Sequence, residues 1–281
     1  MSESWEEIAN EVVPSGARTG GLATGAMRRG KPARPSLYHI PCPPVGERQA
    51  LDEALSGAGA FHPQHGSYYR IRRAPHSYHA SYADLEDRLR AALRHSGSMR
   101  LCGARLEDVL FLDIETTGLS SETPLFLIGV LCFDEGPCLE FFLARGEAEE
   151  RAALAAFCER CAGRNLVTFN GNSFDWPYIK GRGARHGVRF DNPPVHHDLL
   201  LLARQIWRHR VPNCRLQTLE EHLCGRNREG DVPSGDIPRQ YRRFASQFAA
   251  DGSGAHLMAP IVHHNALDIL TMTDLLCLAA S

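Results

Sequence analysis

Three apolar runs, VLFLDIE, PLFLIGVLCFD and CLEFFLA, follow one another over residues 109–144 with only short polar breaks between them. Each has strand length, and TTGLSS and EGP between them leave room for tight reversals only. The pattern then changes. GEAEERAALAAFCERCAG reads as a helix, NLVTFNG as a fourth strand and SFDWPYIKGRGARHG as a helix, followed by a short extended VRFDNPP. HDLLLLARQIWRHR and RLQTLEEHLCG read as further helices, GRNREGDVPSGDIPRQ as a polar loop, and a long helix closes the chain from about 257 to 280. Hairpin-linked strands followed by strand–helix alternation predict an α/β fold, a mixed sheet flanked by helices, over 101–281.

The first hundred residues are less regular. Residues 1–35, rich in Gly, Ser and Arg, read as a flexible arm, and 36–100 as an N-terminal extension. Within the extension, SYADLEDRLRAALRHSG has Ser81 near its start and Leu85, Leu89, Ala92 and Leu93 at helical spacing. The stretch 68–82 places four of the chain's seven Tyr among three Arg, a pattern open to two readings. It either stacks exposed bases or packs as an edge against the domain that follows.

Composition removes several function classes. With 281 residues, 43% apolar and 23% charged, the chain can bury a core and is not disordered throughout. No apolar run approaches the roughly 18 residues of a membrane span, so no membrane partner is expected. The acidic start, MSESWEEIANEVV, does not read as a signal peptide. Nine cysteines, an odd number, suit a reducing, cytoplasmic setting better than a disulfide framework. Cys158 and Cys161 form a CxxC without a second pair, which reads as helix packing rather than a metal knot. The near-neutral total conceals an asymmetry: 5 Arg against 13 acids over 101–175, then 13 basic against 7 acidic residues over 176–243. A carboxylate-rich half followed by a basic half suits a metal site beside a phosphate-binding surface.

Three candidate carboxylates sit at strand ends and a fourth lies in the last helix. Asp113 and Glu115 are two apart on the first strand and so share a face, where they repel unless a cation lies between them. Asp175, in TFNGNSFDWPYI, follows the fourth strand, where open α/β sheets carry their sites. Asp268 lies in the apolar helix APIVHHNALDILTMTDLL and needs a cation, a hydrogen-bond donor or an exposed position there. If the helix already includes residue 263, only His264, four residues earlier, shares a face with Asp268; a later helix start would free His263, five earlier, instead.

Together DIETTGL, FNGNSFDWPYI and HHNALD resemble the three motifs of the DEDD superfamily of exonucleases, which have an RNase H-like fold. The second motif is similar to that of family B polymerase proofreading domains and of bacterial YprB-type RNase H-like exonucleases. HHDLLLLAR, LQTLEEHLCG and GDIPRQY extend the likeness to the latter, in matching order over 101–281. The resemblance implies a 3′–5′ exonuclease using two Mg²⁺ or Mn²⁺ ions held by Asp113, Glu115, Asp175 and Asp268. It implies a general base at His263 or at His264, where one subfamily has Tyr; helical register and the HN-x-x-D pattern favour His264. Thr116, Thr117, Gly118, Leu119, Asn170 and Phe174 would hold the terminal nucleotide. Arg182 and Arg243, with Arg185, Arg226, Arg228, Arg239 and Arg242, are candidate phosphate contacts for a nucleic-acid partner, a single strand or a 3′ end. The competing expectation is a catalytically inactive RNase H-like module that only binds nucleic acid.

Overall fold

The structure, a computed structural model, describes residues 38–95 and 101–280; the arm expected over 1–35 lies outside them. In chain order the elements are β1 (Tyr38–His39), α1 (Leu51–Leu55), β2 (Gly57–His62), β3 (Gly66–Arg73) and α2 (Leu85–His95). Then come β4 (Val109–Thr116), β5 (Leu125–Cys132), β6 (Cys138–Leu143), α3 (Glu147–Cys161), β7 (Asn165–Thr168) and α4 (Asp175–His186). The rest are β8 (His196–Asp198), α5 (Leu199–Ile206), α6 (Leu216–Leu219), β9 (Arg226–Asn227), α7 (Ile237–Asp251) and α8 (Ala255–Ala280).

Seven strands form one mixed sheet in the order β2-β3-β6-β5-β4-β7-β8. The pairs β4–β5 and β5–β6 are antiparallel, as short reversals require, while β7 and β8 join parallel to β4 after helical crossovers. The fold is RNase H-like α/β. Both faces are covered, which explains why β4 and β5 read as nearly unbroken apolar runs. Along β4, Leu110, Leu112 and Ile114 enter one apolar layer with α3 and α4. Val109 and Phe111 enter the other, with α8. Asp113 and Glu115 continue that second face, so alternation alone points both acids toward α8.

Residues before 101 enlarge this sheet. The β2–β3 hairpin pairs through β3 with β6, and Tyr68, Tyr69 and Tyr82 are buried. Of the two readings of the 68–82 stretch, these three rings follow the packing one. Helix α7 begins inside the stretch expected to be a polar loop, and the sequence signals are visible in retrospect. Pro238 stands in its first turn, and Ile237, Tyr241 and Phe244 supply a buried stripe. Tyr241 stacks on Phe126 of β5 at 3.8 Å. Helix α5 is shorter than expected, closing at Trp207, and α6 runs into a π-helical turn over Glu220–Cys224.

Helix α8 is apolar around most of its circumference because it is enclosed by the sheet on one side and by α2 and α7 on others. It packs closely on the sheet at Gly129, which pairs with Asp113 across β4–β5. A Cβ at Gly129 would lie 1.8 Å from Asn265 Oδ1 and 2.9 Å from Ile269 Cδ1. Gly129→Ala therefore displaces the Asn265 amide and crowds Ile269; a loss of about 1–3 kcal/mol in unfolding free energy is expected from urea melts.

Candidate active site

Asp113, Glu115 and Asp175 come together where β4 ends and α4 begins. Burial raises all three carboxyls, and each sits in the field of others. Asp113 is pushed well above the carboxylate range by burial, then by Asp268, Glu115 and Asp175. Glu115 is raised to about 7, with burial outweighing the charge of His264 and the Asn265 hydrogen bond. Asp175, the first residue of α4, is raised to about 8 by burial and by Asp198 and Glu115, against the pull of its own and the Ile114 backbone amides. Asp268 projects from α8 into the same group.

The chain supplies its own donors to these oxygens. Asn265 Nδ2 donates to Asp113 Oδ2 at 2.6 Å and to Glu115 Oε1 at 3.4 Å. Arg228 Nη2 donates to Asp268 Oδ1, and its Nε donates to Glu220 Oε2 at 2.5 Å. His264 Nε2 lies 3.5 Å from Asp268 Oδ2, and its Nδ1 lies 2.7 Å from Asp231 Oδ2. Burial works to lower the His264 pKa, but Asp268, Asp231 and Glu115 outweigh it and raise the ring to about 9. The neighbouring His263 turns elsewhere, with Nε2 3.0 Å from the Ile40 carbonyl and its ring stacked on Tyr78. Of the two histidines, His264 is the one beside the acids.

Asp231 was not singled out by sequence reasoning. It stands alone in a polar loop, and its signal, an acid three residues after an Arg, is common on any surface. Asp198 is similar: it caps α5 and accepts the backbone amides of Asn170 at 2.8 Å and Asn172 at 3.1 Å, tying the loop ahead of Asp175 to β8.

The residues expected to hold a nucleotide lie on two loops beside the acids. Thr116 donates to the Gly118 carbonyl at 2.7 Å and Thr117 to the Pro124 carbonyl at 3.2 Å, which stiffens the turn. Leu119 is exposed at its tip. Asn170 is exposed in the left-handed region (φ 67°), and Phe174 is partly buried against Tyr178. Arg243 is exposed on α7, and Arg242 donates to the Thr117 carbonyl at 2.9 Å.

The expectation for Arg182 needs correction. Its guanidinium is 4% exposed and forked onto Glu150, at 2.6 and 2.5 Å, with further bonds to the Ser121 and Glu122 carbonyls. A phosphate has no donor left there. Arg226 and Arg228 are likewise buried and committed to carboxylates. Arg182→Ala leaves Glu150 buried with only the Leu125 amide and His186 beside it, and a loss of about 3–5 kcal/mol is expected in denaturant melts. A phosphate contact would instead announce itself as a shallower salt dependence of oligonucleotide binding.

The donor set suits a hard divalent cation: carboxylate oxygens, one imidazole, no thiol. Among the described residues no three His, Cys, Asp or Glu side chains are drawn in as closely as around a bound ion. Asn265, Arg228 and His264 hold the oxygens instead. The chemistry nevertheless fits, because buried carboxyls that retain protons near neutrality mark a charge excess that a cation would offset.

A sequence model of the RNase_H superfamily matches residues 110–279, the whole span carrying the acids. The chain is 29% identical over 204 residues to the uncharacterised protein YprB of Bacillus subtilis (strain 168), covering 69% of this chain and 48% of YprB. It thus spans about half the length of that relative. Among solved structures, the family B DNA polymerase of Pyrobaculum calidifontis aligns over 62% of this chain and 27% of its own, at 18% identity and a TM-score of 0.39. The match across β4 to α8 carries the conclusion that this chain belongs to the RNase H superfamily.

Proposed function

We propose that the chain is a metal-dependent 3′–5′ exonuclease that hydrolyses phosphodiester bonds of DNA or RNA by a two-metal-ion mechanism. The observation that carries this reading is the convergence of Asp113, Glu115, Asp175 and Asp268, mostly protonation-shifted upward, beside His264. A binding module has no need to keep mutually repelling carboxyls under the edge of an apolar helix, where they cost stability.

In this reading the four acids hold two Mg²⁺ or Mn²⁺ ions. When bound, such ions offset phosphate charge and polarise the phosphorus–oxygen bonds. The chain's own residues do the rest. The braced turn Thr116–Gly118, with Leu119, Asn170 and Phe174, orients the terminal nucleotide, and the exposed Arg243 contacts a phosphate farther along the strand. His264 Nε2 removes a proton from the attacking water. The carboxylates of Asp268, Asp231 and Glu115 hold its pKa up. Offsetting the charge of Asp268 and Glu115 brings the ring back toward neutrality, where a general base is most effective.

The direct test is a time course on end-labelled single-stranded DNA and RNA with Mg²⁺, Mn²⁺ or EDTA, beside Asp113→Asn. A ladder that needs metal and vanishes in the variant is expected, shortening from the 3′ end. Binding without cleavage in either metal would transfer the chain to the inactive nucleic-acid-binding alternative.

Proton linkage gives a second test. Glu115 and Asp175 carry protons in the folded protein up to about pH 7 and 8, but lose them near pH 4 when unfolded. The folded state therefore binds more protons between these limits, and stability contributed by these groups falls as pH rises through the window. A divalent ion binds the ionised forms and recovers that loss. The melting-temperature gain from MnCl₂ should be small at about pH 6 and several-fold larger at about pH 8.5; a gain independent of pH would contradict the assignment.

A further inference from the structure

Outside the four acids and the histidine, the most heavily organised group near the site is the loop that follows β9. It brings two charged side chains inward. Arg228 reaches Glu220, Asp231 and Asp268, the last two through different guanidinium nitrogens, Nη1 and Nη2. The Asp231 side chain is 8% exposed and both of its carboxylate oxygens are engaged. Its Oδ1 accepts the Val232 amide at 2.9 Å, while Oδ2 takes His264 Nδ1 at 2.7 Å and Arg228 Nη1 at 3.3 Å. Burial works to raise the Asp231 carboxyl, but His264 and Arg228 outweigh it and hold the group below the usual range.

We infer that Asp231 is the positioning residue for His264, fixing which ring nitrogen carries the proton and where the other one faces. An ionised carboxylate only accepts, so the nitrogen facing Asp231 must be the protonated one. That leaves Nε2 as the basic nitrogen of the neutral ring. Nε2 faces Asp268 Oδ2 at 3.5 Å and Ser234 Oγ at 3.4 Å, toward the acids and away from Asp231. Without Asp231 the ring is free to place its proton on either nitrogen and to rotate about its two side-chain torsions. With it, one tautomer and one orientation are selected before substrate arrives. Arg228 completes the arrangement by bonding both Asp231 and Asp268, so the carboxylate behind the ring and the one in front of it are held by a single guanidinium. Asp231 has no place in the first-motif, second-motif or third-motif segments, and its partners are Val232, His264 and Arg228; it acts through the ring.

This inference rests on His264 as the general base, and the experiment separates the two. Rates on a single-stranded oligonucleotide with Mn²⁺ are compared for the full chain, D231N, H264A and the double variant. ¹⁵N spectra of the His264 ring are recorded without metal for the full chain and D231N, at a pH high enough to give the neutral ring. The expected results are a kcat about 10- to 100-fold lower in D231N with KM within about two-fold, no further loss when D231N is added to H264A, and a proton on Nδ1 that leaves it in D231N. D231E, which restores a carboxylate, should recover the Nδ1 proton. A D231N rate equal to that of the full chain, equal losses in the presence and absence of His264, or an unchanged tautomer in D231N would each overturn the positioning role. Full activity in H264A, or none in the full chain, overturns the general-base reading instead, and the ring spectra still decide what Asp231 holds.

Discussion

Like charges buried between a sheet and an apolar helix are the constraint around which this molecule is arranged. Asp113 and Glu115 cannot leave the α8 side of the sheet, because alternation along β4 that buries Val109 and Phe111 sends them there. Helix α8 cannot retreat from them either, since Ile261, Val262, Leu267 and Ile269 belong to the same apolar layer. Gly129 resolves the steric part of the conflict by letting Asn265 sit directly over the β4–β5 pair. The amide thus placed donates to both acids.

The electrostatic part is resolved from a different direction. Asp268 receives Arg228 and faces His264, and Asp175 sits at the start of α4, where the helix amides and the Ile114 amide favour its charge. Each acid therefore has a resident donor, and none is strong enough to bring Asp113, Glu115 or Asp175 back to an ordinary carboxylate pKa. A site in this condition is still short of positive charge, the condition that the proposed binding of divalent ions would relieve.

The sheet's central strands were legible because each is specified locally, whereas the four candidate acids were legible as a set only through the resemblance of their three motif segments. An unbroken apolar run does not name a face, so counting shows only that Asp113 and Glu115 share one, and it is the packing of Val109 and Phe111 against α8 that decides which. His264 was legible by the same counting, since a four-residue step on a helix fixes the side it shares with Asp268. What could not be read is what tertiary partners decide. Helix α7 looks polar because only Ile237, Tyr241 and Phe244 need to be buried. Arg182 and Arg226 look like surface cations, and only the fold brings Glu150 and Glu220 to them across 32 and 6 residues. Asp231 faces His264 across 33 residues, with no periodicity linking them.

The N-terminal extension enters the same argument from behind. Arg226 and Arg228 both grip Glu220, one on each carboxylate oxygen. Arg226 goes on to the Tyr82 hydroxyl, which donates to Asp274 at 2.7 Å, and Arg88 reaches the other oxygen of Asp274. The short β9 strand that carries Arg226 pairs with β1, and the Ile40 carbonyl just beyond β1 engages His263. Residues 38–88 thus close the back of the loop whose front presents Arg228 and Asp231 to the site. Burying a guanidinium as completely as Arg226 is costly unless it is paired, and here Glu220, Tyr82, Thr271 and the Leu267 carbonyl engage all three of its nitrogens. Because Glu220 serves both arginines, the rigidity built around Arg226 is passed to Arg228 through one carboxylate, and from Arg228 to the carboxylates on either side of His264.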